Sequence, residues 1–276
     1  MKLSIITINY NNKDGLLRTM ESVLGQTSKD FEYIVVDGDS TDESKKIIDR
    51  YDSVQSHPFK WISEKDNGIY QAMNKGIQLA TGDFIQFLNS GDTLVAQDVT
   101  KKMLDVIPDN CNIFYGNMLK QLPKRIIRDK GFEGRVPTMM DFFTGTLNHS
   151  PAYIKRSLFE TYGLYDESLK IVSDWKWYLQ VIVLNGVIPF YKDLDVTFFD
   201  MNGISNTNCQ LEKTERKLVL SEILPVSVLA DYEYLAYHGD QIKRINRYML
   251  TRKGLWFVER AIFKYEKWFR NKEKIF

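Results

Sequence analysis

Four short apolar runs in the first 90 or so residues, at 3–8, 31–36, 59–62 and 84–88, each break off into a loop rich in Asn, Asp and Gly. The loops read Asn9-Tyr10-Asn11-Asn12, Asp37-Gly38-Asp39-Ser40, Glu64-Lys65-Asp66-Asn67-Gly68 and Asn89-Ser90-Gly91-Asp92. Helical spacing separates the runs: Leu16, Leu17, Met20, Val23 and Leu24 lie on one side of a helix closed by Gly25, Ile47, Ile48 and Tyr51 on a second capped by Ser40 or Thr41, and a third runs over 69–80. Strand, polar loop and helix repeated in this way predict βαβ units, an α/β fold and a parallel sheet. All four loops then fall at one sheet edge, so Asn9, Asp37, Asp39, Asp66 and Asp92 are expected as neighbours although distant in sequence.

The later chain is less regular. The pattern predicts a helix over 95–107, a strand at 113–115, a basic hairpin within 120–130, a helix start at Ser173-Asp174-Trp175 with Ser173 as cap, and a last strand at 196–199. Helices follow over 211–224 and, beyond Pro225, from 232 onward.

In open α/β sheets ligands bind at the carboxyl edge of the strands, which makes Asp92 a candidate for holding a metal ion against a phosphate. Clustered carboxylates need cations or hydrogen-bond donors, as a metal or sugar hydroxyls would supply. Asp37 and Asp39 also suit turns and caps, and Asp66 before Asn67-Gly68 suits an ordinary turn. No glycine-rich turn follows the first strand, which excludes a dinucleotide fingerprint or phosphate loop. A diphosphate here would be neutralised by magnesium or manganese, which need only one or two protein carboxylates.

Charge is uneven. The net is +1 over 276 residues, yet 243–276 carry 11 Lys and Arg against 3 Asp and Glu, leaving 26 against 33 elsewhere. Nothing in the globular part supports nucleic-acid binding. Cys111 and Cys209 match no metal spacing and read as reduced thiols. The first apolar run is too short for a signal peptide, and no run approaches the roughly 20 residues of a spanning helix. These features point to a cytoplasmic protein, at most peripheral on the inner face of a membrane. As a helix, 253–269 would carry Phe257, Val258, Ile262, Tyr265 and Trp268 on one side and Arg260, Lys264, Lys267 and Arg270 on the other. Such a face suits anionic lipid, or docking on the catalytic domain or another subunit, which leaves an oligomer open.

The blocks 3–11, 35–42, 66–76 and 87–92, in this order and spacing, resemble family 2 glycosyltransferases of the kind found in bacterial polysaccharide biosynthesis. The resemblance covers about residues 1–200. It implies a GT-A fold, with a mostly parallel central sheet flanked by helices, over 1–205, and a C-terminal helical region over 206–276. The first half (1–115) would bind a nucleotide-diphosphate sugar and the second (116–205) a glycan or lipid-linked acceptor. Asp92 would then hold Mn or Mg on the diphosphate, and Asp174 would be the general base of an inverting transfer. Asn9, Tyr10, Asp37, Asp39, Asp66, Gly68 and Asn74 would lie on the donor, and His149 would face donor phosphate or acceptor or be structural. Asp37-Gly38 and Asn89-Ser90-Gly91-Asp92 depart from the family's fuller acidic motifs and leave Asp92 as the motif's one carboxylate. A non-catalytic nucleotide-sugar-binding or membrane-docked scaffold is the competing class, and a sugar nucleotidyltransferase would need the missing glycine loop.

Overall fold

The computed structural model describes residues 2–53, 58–201, 208–247, 254 and 256–265. Strand β1 (Leu3–Asn9) is the centre of the first half. It pairs in parallel with β2 (Phe31–Asp37) on one side and β4 (Phe84–Phe87) on the other, and β2 pairs in parallel with β3 (Phe59–Ser63). Every residue of β1 and β2 is buried, which is why both read as continuous apolar runs. Leu3 and Ile5 share a core with Leu16, Met20 and Val23 of α1 (Lys13–Leu24) and Ile48 of α2 (Ser44–Asp52). On the opposite face Ile6 lies against Gly76 of α3 (Ile69–Leu79).

Beyond β4 the pairing becomes mixed. The sheet continues through β8 (Ala152–Lys155), β6 (Ile113–Leu122), β9 (Phe190–Phe199) and β5 (Thr93–Leu94), with β7 (Arg125–Asp129) hairpinned onto β6. Between these lie α4 (Val99–Leu104), α5 (Met139–Thr144), α6 (Ser157–Tyr162) and α7 (Ser173–Tyr178), the last running into a π-helical stretch, Leu179–Leu184. The two-residue β5 matters most. It pairs antiparallel with β9, Thr93 opposite Phe198, and so fixes the end of β9 beside Asp92.

Three local expectations differ. Strand β9 is longer than 196–199 because its first part pairs with β6 while Lys192 and Asp193 face solvent. Helix α4 is shorter than 95–107, since the chain after Asp92 first forms β5. Neither α2 nor α7 has its expected cap. Ser40 turns its hydroxyl to Asp37 at 2.6 Å, and Glu43, at φ 72°, occupies the cap position of α2. In α7 the cap position is Val172, and Ser173 is already helical with its hydroxyl buried.

The chain divides into two compact units, residues 1–219 and 220–276. Helix Cys209–Ile223 begins in the first. In the second, helix Val226–Arg247 and helical residues 256–265 are described, the latter exposed throughout. Of the expected amphipathic stretch, Lys253, Leu255 and 266–270 lie outside the described residues.

Glu32 ties the opposite, amino edge together. Its carboxylate accepts from Ser4 Oγ at 2.7 Å, Thr81 Oγ1 at 2.8 Å and the Gly82 amide at 3.2 Å, and pairs with Lys60 Nζ at 2.8 Å. Burial opposes its charge, but these donors outweigh burial and hold the carboxyl at about 2. The stabilisation is therefore full above about pH 4.5 and lost as pH falls toward 2. Glu32→Ala is expected to cost about 3 kcal/mol at pH 7 in urea unfolding, with the gap to wild type closing over that acid range.

Candidate active site

Strand β4 ends at a turn clamped from two sides. Thr7 Oγ1 donates to the Leu88 carbonyl at 2.8 Å. Thr19 of α1 donates to the Asp92 carbonyl at 2.7 Å and accepts from the Gly91 amide at 2.9 Å. Gly91 adopts φ +111°, and a Cβ there would collide with the carboxylate of Asp200, one residue past β9. The missing side chain of the motif thus makes room for a second carboxylate. The Asp200 amide donates to Asp92 Oδ1 at 2.8 Å. Burial raises the Asp92 carboxyl to about 7; the Asp200 amide opposes the shift and the Asp200 charge adds to it.

The other loops meet at the same edge but differ in what they leave free. Asp37, wholly buried, accepts from Asn9 Nδ2 at 2.8 Å, Ser40 Oγ and Ser63 Oγ at 2.6 Å, and the Ser40 amide at 3.0 Å. Burial raises its pKa, but these donors prevail and hold the carboxyl below its ordinary value. Both of its oxygens are engaged in organising the loops. Asp39 is exposed and pairs with Lys45 Nζ at 2.6 Å. Tyr10 is 69% exposed, and a Cβ at Gly38 would come within 3.2 Å of its ring and 3.4 Å of Asp66 Oδ2. Gly38 thereby keeps open a cradle between the Tyr10 ring and Asp66. Asp66 Oδ1 pairs with Lys75, while Asp66 Oδ2, Asn9 Oδ1 and Asn89 Oδ1 are buried acceptors with no donor among the described residues. An unsatisfied buried acceptor costs about 1–3 kcal/mol, so all three suit a ligand that carries donors or a cation.

Asp92, His149 and Asp174 line one cavity of about 270 Å³, together with Asn89. Asp174 sits in the first turn of α7, half-buried, with the Tyr70 hydroxyl 2.8 Å from its Oδ1. Burial and the Asp174 charge hold the Tyr70 phenol well above its ordinary pKa, so it remains a donor. The His149 ring stacks on Phe87 at 4.9 Å and meets the Tyr165 hydroxyl at 3.1 Å. Burial lowers its pKa, with Asp174 opposing, which keeps the imidazole neutral at pH 7.

The remaining expected residues separate. Gly68, at φ +153°, precedes α3 close to Lys170, another residue of the cavity. Asn74 is spent inside the protein: its amide donates to the Tyr165 carbonyl at 2.9 Å and Glu167 Oε1 at 2.8 Å, and its oxygen accepts from the Tyr165 amide at 3.0 Å. Sequence reasoning missed Tyr70, Lys120, Lys170, Asp200, Glu212 and Arg216. Of these, Asp200 and Arg216 approach the site only through long-range packing, which no local pattern signals. Tyr70 could have been found, since it opens the helix that follows the Asp66 loop.

The fold, a mixed α/β sheet flanked by helices, resembles that of the GT-A glycosyltransferases. The chain belongs to glycosyl transferase family 2, whose model matches residues 4–161, and it is a glycosyltransferase. A PGL/p-HBAD biosynthesis glycosyltransferase of Mycobacterium tuberculosis is 28% identical over 218 residues, 77% of this chain and 82% of the relative. Among solved structures, Staphylococcus aureus TarS 1-349 in complex with UDP-GlcNAc superimposes with a TM-score of 0.66 at 20% identity, over 81% of this chain and 67% of TarS 1-349. In the UDP complex of that fragment the TM-score is 0.60 at 20% identity over 72% of this chain, and the chain spans 60% of the fragment. The mannosyltransferase PcManGT of Pyrobaculum calidifontis, in complex with GDP-Man and Mn2+, gives 0.59 at 16% identity, over 74% of this chain and 58% of that enzyme.

A carboxyl raised to about 7 destabilises the fold once ionised, the loss growing from about pH 4 to 7 and persisting above. Asp92→Asn in metal-free buffer is therefore expected to raise the melting temperature by several degrees at pH 8 and to leave it near wild type at pH 4. Manganese at pH 8 should stabilise wild type and not the variant.

Proposed function

We propose that the protein is an inverting enzyme that transfers a sugar from a nucleotide-diphosphate donor to a hydroxyl of a glycan or lipid-linked acceptor in polysaccharide assembly on the cytoplasmic side of a membrane. The observation that carries this reading is that Asp92 and Asp174, from opposite halves of the sheet, open onto one cavity. Residues 1–115 hold the donor; residues 116–205, with the start of helix Cys209–Ile223, hold the acceptor.

The nucleobase lies between the Tyr10 ring and Asp66. Asp66 Oδ2 is a buried acceptor, which suits a base that presents an N–H donor to it. The donor set fits a divalent cation: Asp92 and Asp200, the latter also 3.6 Å from Arg18, would hold it, with phosphate oxygens as the further ligands it would need. When bound, Mn or Mg neutralises charge on the departing diphosphate. Asp174 accepts the proton of the acceptor hydroxyl as its oxygen bonds to the anomeric carbon. The bond from that carbon to the diphosphate oxygen breaks, the nucleoside diphosphate leaves with the electron pair, and the configuration inverts. Tyr70 orients the base through its hydrogen bond to Oδ1, and neutral His149 offers one ring nitrogen to a donor or acceptor oxygen.

A thermal-shift panel of UDP-, GDP-, dTDP- and CMP-sugars with manganese tests the donor half: at least one should raise the melting temperature, and Asp66→Ala should remove that shift. Asp174→Ala should lower kcat about 10²- to 10⁴-fold while leaving donor binding within twofold. Binding without transfer in wild type, across donors and acceptor extracts, would favour the scaffold reading.

A second observation supports attachment to a membrane surface. Among the described residues no helix is long and apolar enough to cross a membrane. Residues 256–265 nonetheless expose Trp256, Phe257, Ile262, Phe263 and Tyr265 within a basic stretch. Aromatic and cationic side chains together suit an anionic lipid interface. Full-length protein is expected to sediment with phosphatidylglycerol vesicles, and a chain ending at Gly239 to remain in the supernatant.

A further inference from the structure

Glu215 is buried, carries a carboxylate, and lies on helix Cys209–Ile223, outside the residues matched by the family model. Its two oxygens accept from three consecutive backbone amides: Lys170 at 2.7 Å, Ile171 at 2.9 Å and Val172 at 3.3 Å. That segment leads directly into Asp174. Helix α7 has no side-chain cap of its own, and the three amides that Glu215 takes belong to the turn running into the helix and to its cap position, Val172. The neighbouring Arg216 grips the other side of the same turn. Its guanidinium lies 4.7 Å over the Trp175 ring and donates to the Gly145 carbonyl at 2.9 Å. The Trp175 indole in turn donates to the Phe142 carbonyl at 2.8 Å. Residues on both sides of Asp174 are therefore pinned to one helix, while Tyr70 fixes the carboxylate itself.

We infer that Glu215 is a positioning residue that sets the location of Asp174 in the cavity, an inference that rests on Asp174 being the base. Three charge-assisted hydrogen bonds from consecutive amides hold a turn more rigidly than a hydroxyl cap, which satisfies one or two. A base must lie within hydrogen-bond reach of the hydroxyl it deprotonates, and displacement by about 1 Å can cost up to about 10²-fold in rate.

Glu215→Ala and Glu215→Gln, assayed as full-length proteins with whichever UDP- or GDP-sugar supports transfer, are expected to lose roughly ten- to a hundredfold in kcat, Gln less than Ala. The donor KM should stay within twofold. Hydrogen exchange followed by mass spectrometry should show faster exchange confined to about residues 168–176. In an Asp174→Ala background, adding Glu215→Ala should cost no further kcat, because the group it positions is gone. Unchanged kcat in both variants, exchange that rises across the central sheet, or an additive loss in the double variant would overturn the inference. Near-normal turnover of Asp174→Ala alone would instead remove the base assignment and the catalytic role of the clasp with it. The exchange result, which needs no substrate, would still report whether Glu215 orders the turn.

Discussion

Parallel pairing of β1 with β2 and β4 is the constraint on which the rest depends. A parallel neighbour points its carboxyl end the same way, so each added strand delivers its following loop to one edge. The register then sets depth: Asn9 lies opposite Asp37, and Ile6 opposite Phe87, which brings the Asn89–Asp92 turn up beside Asn9 and the start of α1. Thr7 and Thr19 convert that proximity into geometry by hydrogen-bonding the turn itself. Without the register, the acidic residues would be scattered turn formers.

Four carboxylates at this edge have four different electrostatic settings. Asp37 is buried and saturated with donors, so it is ionised and structural. Asp39 is exposed and paired with Lys45. Asp66 is half-engaged, one oxygen on Lys75 and the other without a donor. Asp92 is buried beside another carboxylate with a single backbone donor, which leaves its charge uncompensated within the protein. Among the described residues Asp92 and Asp66 are thus the members of the cluster whose carboxylates are left incompletely partnered, and Asp37 holds the loops in place.

Much of this was legible in the sequence because it is local. The four rounds of strand and helix, their loops and the hairpin within 120–130 follow from periodicity and turn residues, and they stand in the structure. The expected cap at Ser40 fails because its hydroxyl donates to the Asp37 carboxylate instead, and the one at Ser173 because α7 starts a residue earlier, with Val172 at the cap position. Asn74 looked like part of a ligand-binding block, but its amide pairs with the Tyr165 backbone and the Glu167 carboxylate, an exchange invisible without the fold.

Sequence by itself pointed to loops that share an edge, to a first strand followed by no glycine-rich turn, and to Asp92 at the end of the turn after β4, since these depend on residue type and order. Only the tertiary structure decided what surrounds that edge. Pairing of β5 with β9 sets Asp200 against Gly91, and helix Cys209–Ile223 folds back so that Glu215 and Arg216 grip the turn bearing Asp174. The physical reason is distance along the chain. Asp92 and Asp200 are brought together by an antiparallel ladder between strands about a hundred residues apart, and Glu215 clasps amides 43–45 residues earlier in the chain, contacts that no local pattern specifies.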